Sequence, residues 1–177
     1  IMTWGPDEEG SPYGYHPDGE SIYVGSTLGS DTEELRLLNL ETLVETVLAR
    51  NSVVDLSDVL MHPTRKTVQA VAFNEDRLLW QSLDDSVTAD LNYLQDSNSG
   101  ELHIVSRDLA DENWIVLFMN DTSPVSYYHY HRPEKKLQFL FTARPDLMDK
   151  QLAKMSPVHI TTRDGLTLLL FDPARGS

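Results

Sequence analysis

Two stretches decide how this chain reads: Tyr15-His16-Pro17-Asp18-Gly19-Glu20 and Met61-His62-Pro63-Thr64-Arg65-Lys66. Each is a polar turn that runs straight into a short β-branched and aromatic segment. The first leads into Ser21-Ile22-Tyr23-Val24-Gly25-Ser26, the second into Thr67-Val68-Gln69-Ala70-Val71-Ala72-Phe73. The two His-Pro pairs lie 46 positions apart, at 16 and 62. A third, degenerate copy runs Ser106-Arg107-Asp108-Leu109-Ala110-Asp111-Glu112 into the apolar run Trp114–Met119, with Ser106 set 44 positions after His62.

Working outward, each copy has one plan: an extended strand, a polar turn, an apolar strand, then a hairpin. Copy one closes with Glu34–Thr42. Copy three closes with Val125–His131, the turn Arg132-Pro133-Glu134-Lys135 and Leu137–Phe141. Leu102–Ser106 reads as a further strand. Copy two ends differently. Asp84-Asp85-Ser86 precedes Val87, Leu91 and Leu94 at helical spacing, and the two acids suit the positive end of a helix dipole. The spacing predicts a helix over Ser86 to Gln95, stopped by Asp96-Ser97-Asn98-Ser99-Gly100.

A period of about 40–50 residues with several strands per repeat is the pattern of propeller blades. A single blade cannot cover both faces of its own sheet, so neighbouring blades bury them jointly. The expected fold is therefore all-β: a partial β-propeller of about three antiparallel blades, with one short inserted helix. The blades are expected at about 5–50, 51–100 and 101–147, followed by a linker and strand stub over 148–177.

Composition narrows the function. The 177 residues carry a formal net charge of −14 and no cysteine. Thiol catalysis, disulfides and thiolate metal sites are excluded within this chain. So strong an acidic excess argues against nucleic-acid and anionic-membrane binding. No apolar window is long enough for a membrane span, and the start, Ile1-Met2-Thr3-Trp4-Gly5-Pro6, lacks the pattern of a signal peptide. A cytoplasmic location is the expectation. The charge is uneven: residues 1–60 hold 12 acids against two bases.

The ordered set of motifs resembles the prolyl oligopeptidase family of serine peptidases, in its dipeptidyl aminopeptidase and acylaminoacyl peptidase branch. Ser57–Pro63 followed by Gln69–Phe73 looks like a late blade. Trp114-Ile115-Val116 followed by Tyr127-Tyr128-His129-Tyr130 looks like the last one. Phe139–Leu147 is similar to the family's exit from the propeller. Leu152–Val158 and Ile160–Leu166, with Arg163-Asp164-Gly165-Leu166, look like the linker and first strand of the hydrolase domain. The resemblance implies a non-catalytic segment that gates access of short peptides to a catalytic α/β-hydrolase domain. It names that domain and short peptides as partners. The alternative is a free-standing module that forms a homo-oligomer, or binds a partner, through open blade edges.

No catalytic residue is expected here, because the chain holds no Gly-x-Ser-x-Gly nucleophile elbow. The resemblance does suggest one substrate contact. In some dipeptidyl aminopeptidases, acids on a propeller helix hold the free amine of the peptide, and Asp84, Asp85 and Asp90 stand where they could do this. Otherwise they are helix-start charges. His129 and His131 share a strand face, but no third ligand lies near in sequence, so no metal or other cofactor is expected. His16 and His62 are expected to shape their turns. Trp4, Trp80 and Trp114 are expected as core or blade-interface aromatics. Asn120-Asp121-Thr122 has the form of a glycosylation acceptor.

Overall fold

The computed structural model describes residues 4–163, 165 and 167–173. Of the expected phrase Arg163–Leu166, Asp164 and Leu166 lie outside the described residues, as do Ile1-Met2-Thr3 at the start. Three antiparallel sheets follow one another along the chain, each with its strands side by side in sequence order. The first holds β1 (Gly10–Tyr15), β2 (Ser21–Ser26), β3 (Glu34–Asn39) and β4 (Glu45–Ala49). The second has β5 (Leu56–Met61), β6 (Val68–Asn74) and β7 (Leu78–Ser82). In place of a fourth strand comes α1 (Asp85–Ser97). The third sheet holds β8 (Glu101–Arg107), β9 (Asn113–Asn120), β10 (Ser123–His131) and β11 (Lys136–Thr142). A separate hairpin, β12 (Met155–Thr161) with β13 (Thr167–Pro173), ends the described chain.

The second sheet is the shared layer. Alternation along β6 sends Val71 and Phe73 to one face and Ala70 and Ala72 to the other. On the first face they join Tyr23, Leu35, Ala49 and Leu56 in a core between the first and second sheets. On the second face Ala70 and Ala72 join Trp80, Leu102, Trp114, Val116, Phe118 and Tyr130, and α1 adds Val87, Leu91 and Leu94 to the same core. That is the face-to-face stacking expected of propeller blades. The helix exists because its buried side chains recur at i, i+4 and i+7, and because the Asp84 carboxylate caps it by accepting from the Ser86 amide (2.9 Å). It runs two residues further than the acid and serine cluster suggested.

The repeat has a physical signature in its turns. His16 N–H donates to the Ser21 carbonyl (2.9 Å), His62 N–H to Thr67 (2.8 Å) and Asp108 N–H to Asn113 (3.0 Å). The third copy is therefore aligned on Asp108 and not on Ser106. This restores a spacing of 46 at positions 16, 62 and 108. In the first turn Asp18 accepts from the amides of Glu20 and Ser21 (2.9 Å each). In the third, Asp108 accepts from Glu112 (2.9 Å) and Asn113 (3.2 Å). One aspartate thus does from the histidine position what His16 and Asp18 share in copy one. The second turn is held by His62, whose Nδ1 accepts from the amides of Thr64 (3.2 Å) and Arg65 (3.0 Å).

Trp4 departs from expectation. Trp80 and Trp114 are buried, but Trp4 is 38% exposed. It lies flat over Gly10 at the sheet edge, where a Cβ would collide with its ring, and its indole N–H donates to Ser26 Oγ (3.2 Å). β1 itself was not evident in the sequence. Its Gly10-Ser11-Pro12-Tyr13-Gly14 composition is tolerated because it is an edge strand with a bulge between Pro12 and Gly14.

Candidate functional site

The inserted helix brings the polar chemistry of the chain together. Asp90 sits on its buried side, 6% exposed. Its Oδ1 accepts from the Tyr130 hydroxyl (2.6 Å), and its Oδ2 accepts from Arg132 Nε (3.0 Å) and Nη2 (2.9 Å). Arg132 reaches on to the Ser86 carbonyl in the first turn of α1 (2.7 Å) and to the Asp111 carboxylate. Asp111 also accepts from Arg107 Nη1 (2.9 Å) and from the Trp114 indole (2.8 Å). Arg107 closes the chain of contacts by donating to Gln69 Oε1 (2.7 Å) and to the Met61 carbonyl. Both guanidiniums lie over the Trp114 ring, at 5.2 and 4.9 Å from its centroid.

This is an ionic clasp between the second and third sheets, with α1 as one jaw. Its two carboxylates are buried, its guanidiniums are largely covered, and each charge is paired, as buried charge requires. Burial pushes the Tyr130 hydroxyl pKa up, and the hydrogen bond to Asp90 pushes it further, so the phenol stays protonated and donating. Burial also lowers the Arg107 pKa, against the pull of Asp111.

The three acids named as amine contacts do not converge. Asp84 caps the helix and lies 3.6 Å from Arg65. Asp85 is exposed on the first turn. Asp90 is committed to Tyr130 and Arg132. Sequence reasoning missed Arg107, Asp111 and Arg132, because their partners are brought together only by the stacking of two sheets. The 46-residue offset was the available signal: it sets Asp108 at the turn and so Asp111 and Glu112 beside β9.

His129 and His131 do share the outer face of the third sheet. His129 Nε2 lies 2.9 Å from Asn113 Oδ1, and His131 Nδ1 lies 3.6 Å from Glu134. Among the described residues no group of three or more His, Asp or Glu is placed to hold a metal. Asn120 holds its own turn, accepting at Oδ1 from Thr122 N (3.1 Å) and from Ser123 Oγ (3.0 Å).

A second polar group lies between the first and second sheets. The Glu33 carboxylate rests over Gly25, against Tyr13. Its backbone N–H donates to Asp55 Oδ1 (2.7 Å), and its carbonyl accepts from Leu56 N (3.1 Å). Burial raises the Glu33 pKa, and Asp55 and Glu9 raise it further. Tyr13 is pushed up to about 12 by burial, then by Glu33 and Asp58.

No family model matches the chain. Known proteins do. Dipeptidyl aminopeptidase BIII of Pseudoxanthomonas mexicana is 32% identical over 161 residues, which is 91% of this chain and 23% of that protein. Dipeptidyl peptidase family member 6 of Caenorhabditis elegans is 30% identical over 116 residues, covering 64% of this chain and 15% of its own length. Among solved structures, a puromycin-hydrolysing peptidase of Mycobacterium tuberculosis superposes with a TM-score of 0.62 at 14% identity, over 94% of this chain and 26% of that one. Prolyl oligopeptidase B of Galerina marginata superposes with a TM-score of 0.59 at 12% identity, over 93% and 23%. The chain resembles part of the propeller domain of the prolyl oligopeptidase-type peptidases. It spans less than a quarter of the length of the two curated relatives. In the terms of such a propeller, the clasp joins two consecutive blades, and α1 replaces the fourth strand of one of them.

Proposed function

We propose that this chain is a non-catalytic segment of the propeller of a prolyl oligopeptidase-type serine peptidase. On this reading it screens access to a catalytic α/β-hydrolase domain lying outside these 177 residues. The observation that supports it is the stack of consecutive antiparallel sheets. It superposes on such peptidases over nearly all of the chain. It also carries sequence identity to proteins named as dipeptidyl peptidases. A stiff stack of blades admits a short flexible peptide and stops a folded protein by size. The acidic rim of residues 1–60 favours peptides with a free amine or basic side chains. Residues 1–147 form the propeller part in this reading, and 148–177 the linker with the first strand of the hydrolase half.

On this reading Asp85, exposed on the first turn of α1, supplies the carboxylate for the free amine of a peptide, and Asp84 caps the helix behind it with Arg65 beside its second oxygen. Asp90 takes part only by holding the helix in place, because both of its oxygens are already paired.

The parent protein tests this through the length dependence of its substrates. With the propeller intact it cleaves short peptides and spares long unfolded chains. With the clasp broken by Arg132→Ala, long chains become substrates while kcat for the shortest peptide is unchanged. An unaltered length cut-off in a parent protein whose propeller has been removed contradicts the gating role.

A further inference from the structure

The two seams of the stack are built from opposite electrostatics. Between the second and third sheets one ion pair crosses, Arg132 to Asp90 of α1 (2.9 Å), while Asp111 holds both guanidiniums from within the third sheet; Arg107 also reaches Gln69 Oε1 (2.7 Å) and the Trp80 indole crosses to the Leu102 carbonyl (2.8 Å). Between the first and second sheets no ion pair crosses among the described residues. There the titratable groups around Glu33 and Tyr13 are all acidic or phenolic, and the one imidazole, His16, lies against Tyr23 (5.5 Å between ring centroids). Glu9 precedes β1, Tyr13 lies on β1, and Glu33 precedes β3. Asp55 and Asp58, ahead of and on β5, face them. The apolar core of this seam is also smaller, with six buried residues against thirteen in the other.

We infer that the seam between the first and second sheets is the joint at which the stack opens. Glu33, set against Asp55 across the seam and Glu9 beside it, loads it with like charge, and Asp58 does the same opposite Tyr13, while the clasp keeps the second and third sheets together as one body. Like charges at a half-buried seam oppose its closure, whereas the paired charges of the clasp oppose its opening. Neutralising Glu33 removes part of the load and tightens the joint. A propeller built this way breathes at one chosen interface, and the deformation is steered by the ionisation of a single carboxylate. The inference concerns the fold alone and stands or falls independently of the gating role.

The chain has no cysteine, so one introduced thiol reports on one place. Val71 and Ala72 are adjacent on β6, both 0% exposed, and face opposite seams. The test is the rate of alkylation of Val71→Cys and Ala72→Cys in the folded chain, each normalised to its rate in denaturant. Ala49→Cys and Ala70→Cys, small residues facing the first and second seam respectively, provide a duplicate pair should either of the others fail to fold. The expected result is faster labelling at Val71→Cys and at Ala49→Cys than at their counterparts. Adding Glu33→Gln should slow the first-seam thiols several-fold and leave the second-seam thiols unchanged. Equal protection at the two seams, faster labelling at the second, or no response to Glu33→Gln overturns the inference.

Discussion

Asp18 shows how much of a blade turn rests on one carboxylate. Desolvation raises its pKa, but the Glu20 amide, the Ser21 hydroxyl and amide and the His16 ring together outweigh this and hold it down to about 2. A carboxyl depressed in the folded state contributes stability that is complete above its unfolded value of about 4. That contribution is lost as pH falls through its folded value. Acid titration followed by the Ser21 and Glu20 amide resonances should therefore show the first turn loosening near pH 2 in the wild-type chain. Asp18→Ala should show it loose already at neutral pH. Asp108 is held below the ordinary carboxylate range by the same kind of bonds, led by the Asn113 side chain. The sequence made His16 and His62 visible as a repeat because they are identical. Asp108 stayed hidden because a different residue type does the same work, and only the hydrogen bonds to the following strand reveal its register.

At the scale of elements, α1 is held by its core-facing side chains and by Arg132. A 13-residue helix is marginal alone, and its stability comes from the face that packs on the core. Arg132→Ala leaves Asp90 and Asp111 without that cation in a buried setting, and should cost about 3 kcal/mol in urea unfolding. Tyr130→Phe, which removes one hydroxyl from Asp90, should cost about 1 kcal/mol. Arg132→Lys should not restore the loss, because an ammonium cannot reach Asp90, Asp111 and the Ser86 carbonyl at once. The elements themselves were largely legible. The alternation in β6, the continuous apolar run of β9, the i, i+4, i+7 spacing of Val87, Leu91 and Leu94, and the Arg132–Lys135 turn each name their structure locally. The strands ahead of the first two turns, β1 and β5, are expected from the repeat plan, but neither has a local pattern that marks its residues. β1 is rich in glycine and proline, and β5 carries bulges at both ends of its pairing with β6. The clasp was illegible for a different reason: its partners are up to 46 positions apart, and no local rule couples them.

For the whole molecule, the stack of sheets accounts for the resemblance to the prolyl oligopeptidase-type propellers and for the open surfaces it leaves. Phe139 and Phe141 on the edge strand β11 are 51% and 54% exposed. The β12–β13 hairpin meets the sheets through the His159–Asp76 pair (3.0 Å) and the Met155 amide on Asp121, and leaves Met155, Val158, Ile160 and Leu170 exposed. A two-stranded hairpin is marginal in water, so this one belongs against further structure. That agrees with its proposed place as the entry to a hydrolase half.

On the proposed function the chain shapes access to catalysis and performs none of it. That reading is tested most directly by exposing the purified chain and its full-length parent to a serine-directed phosphonate probe and a dipeptidyl amide substrate. The expected result is covalent labelling and hydrolysis by the parent and neither by the chain. Labelling of the chain, with hydrolysis proportional to its concentration and retained through further purification, would contradict it.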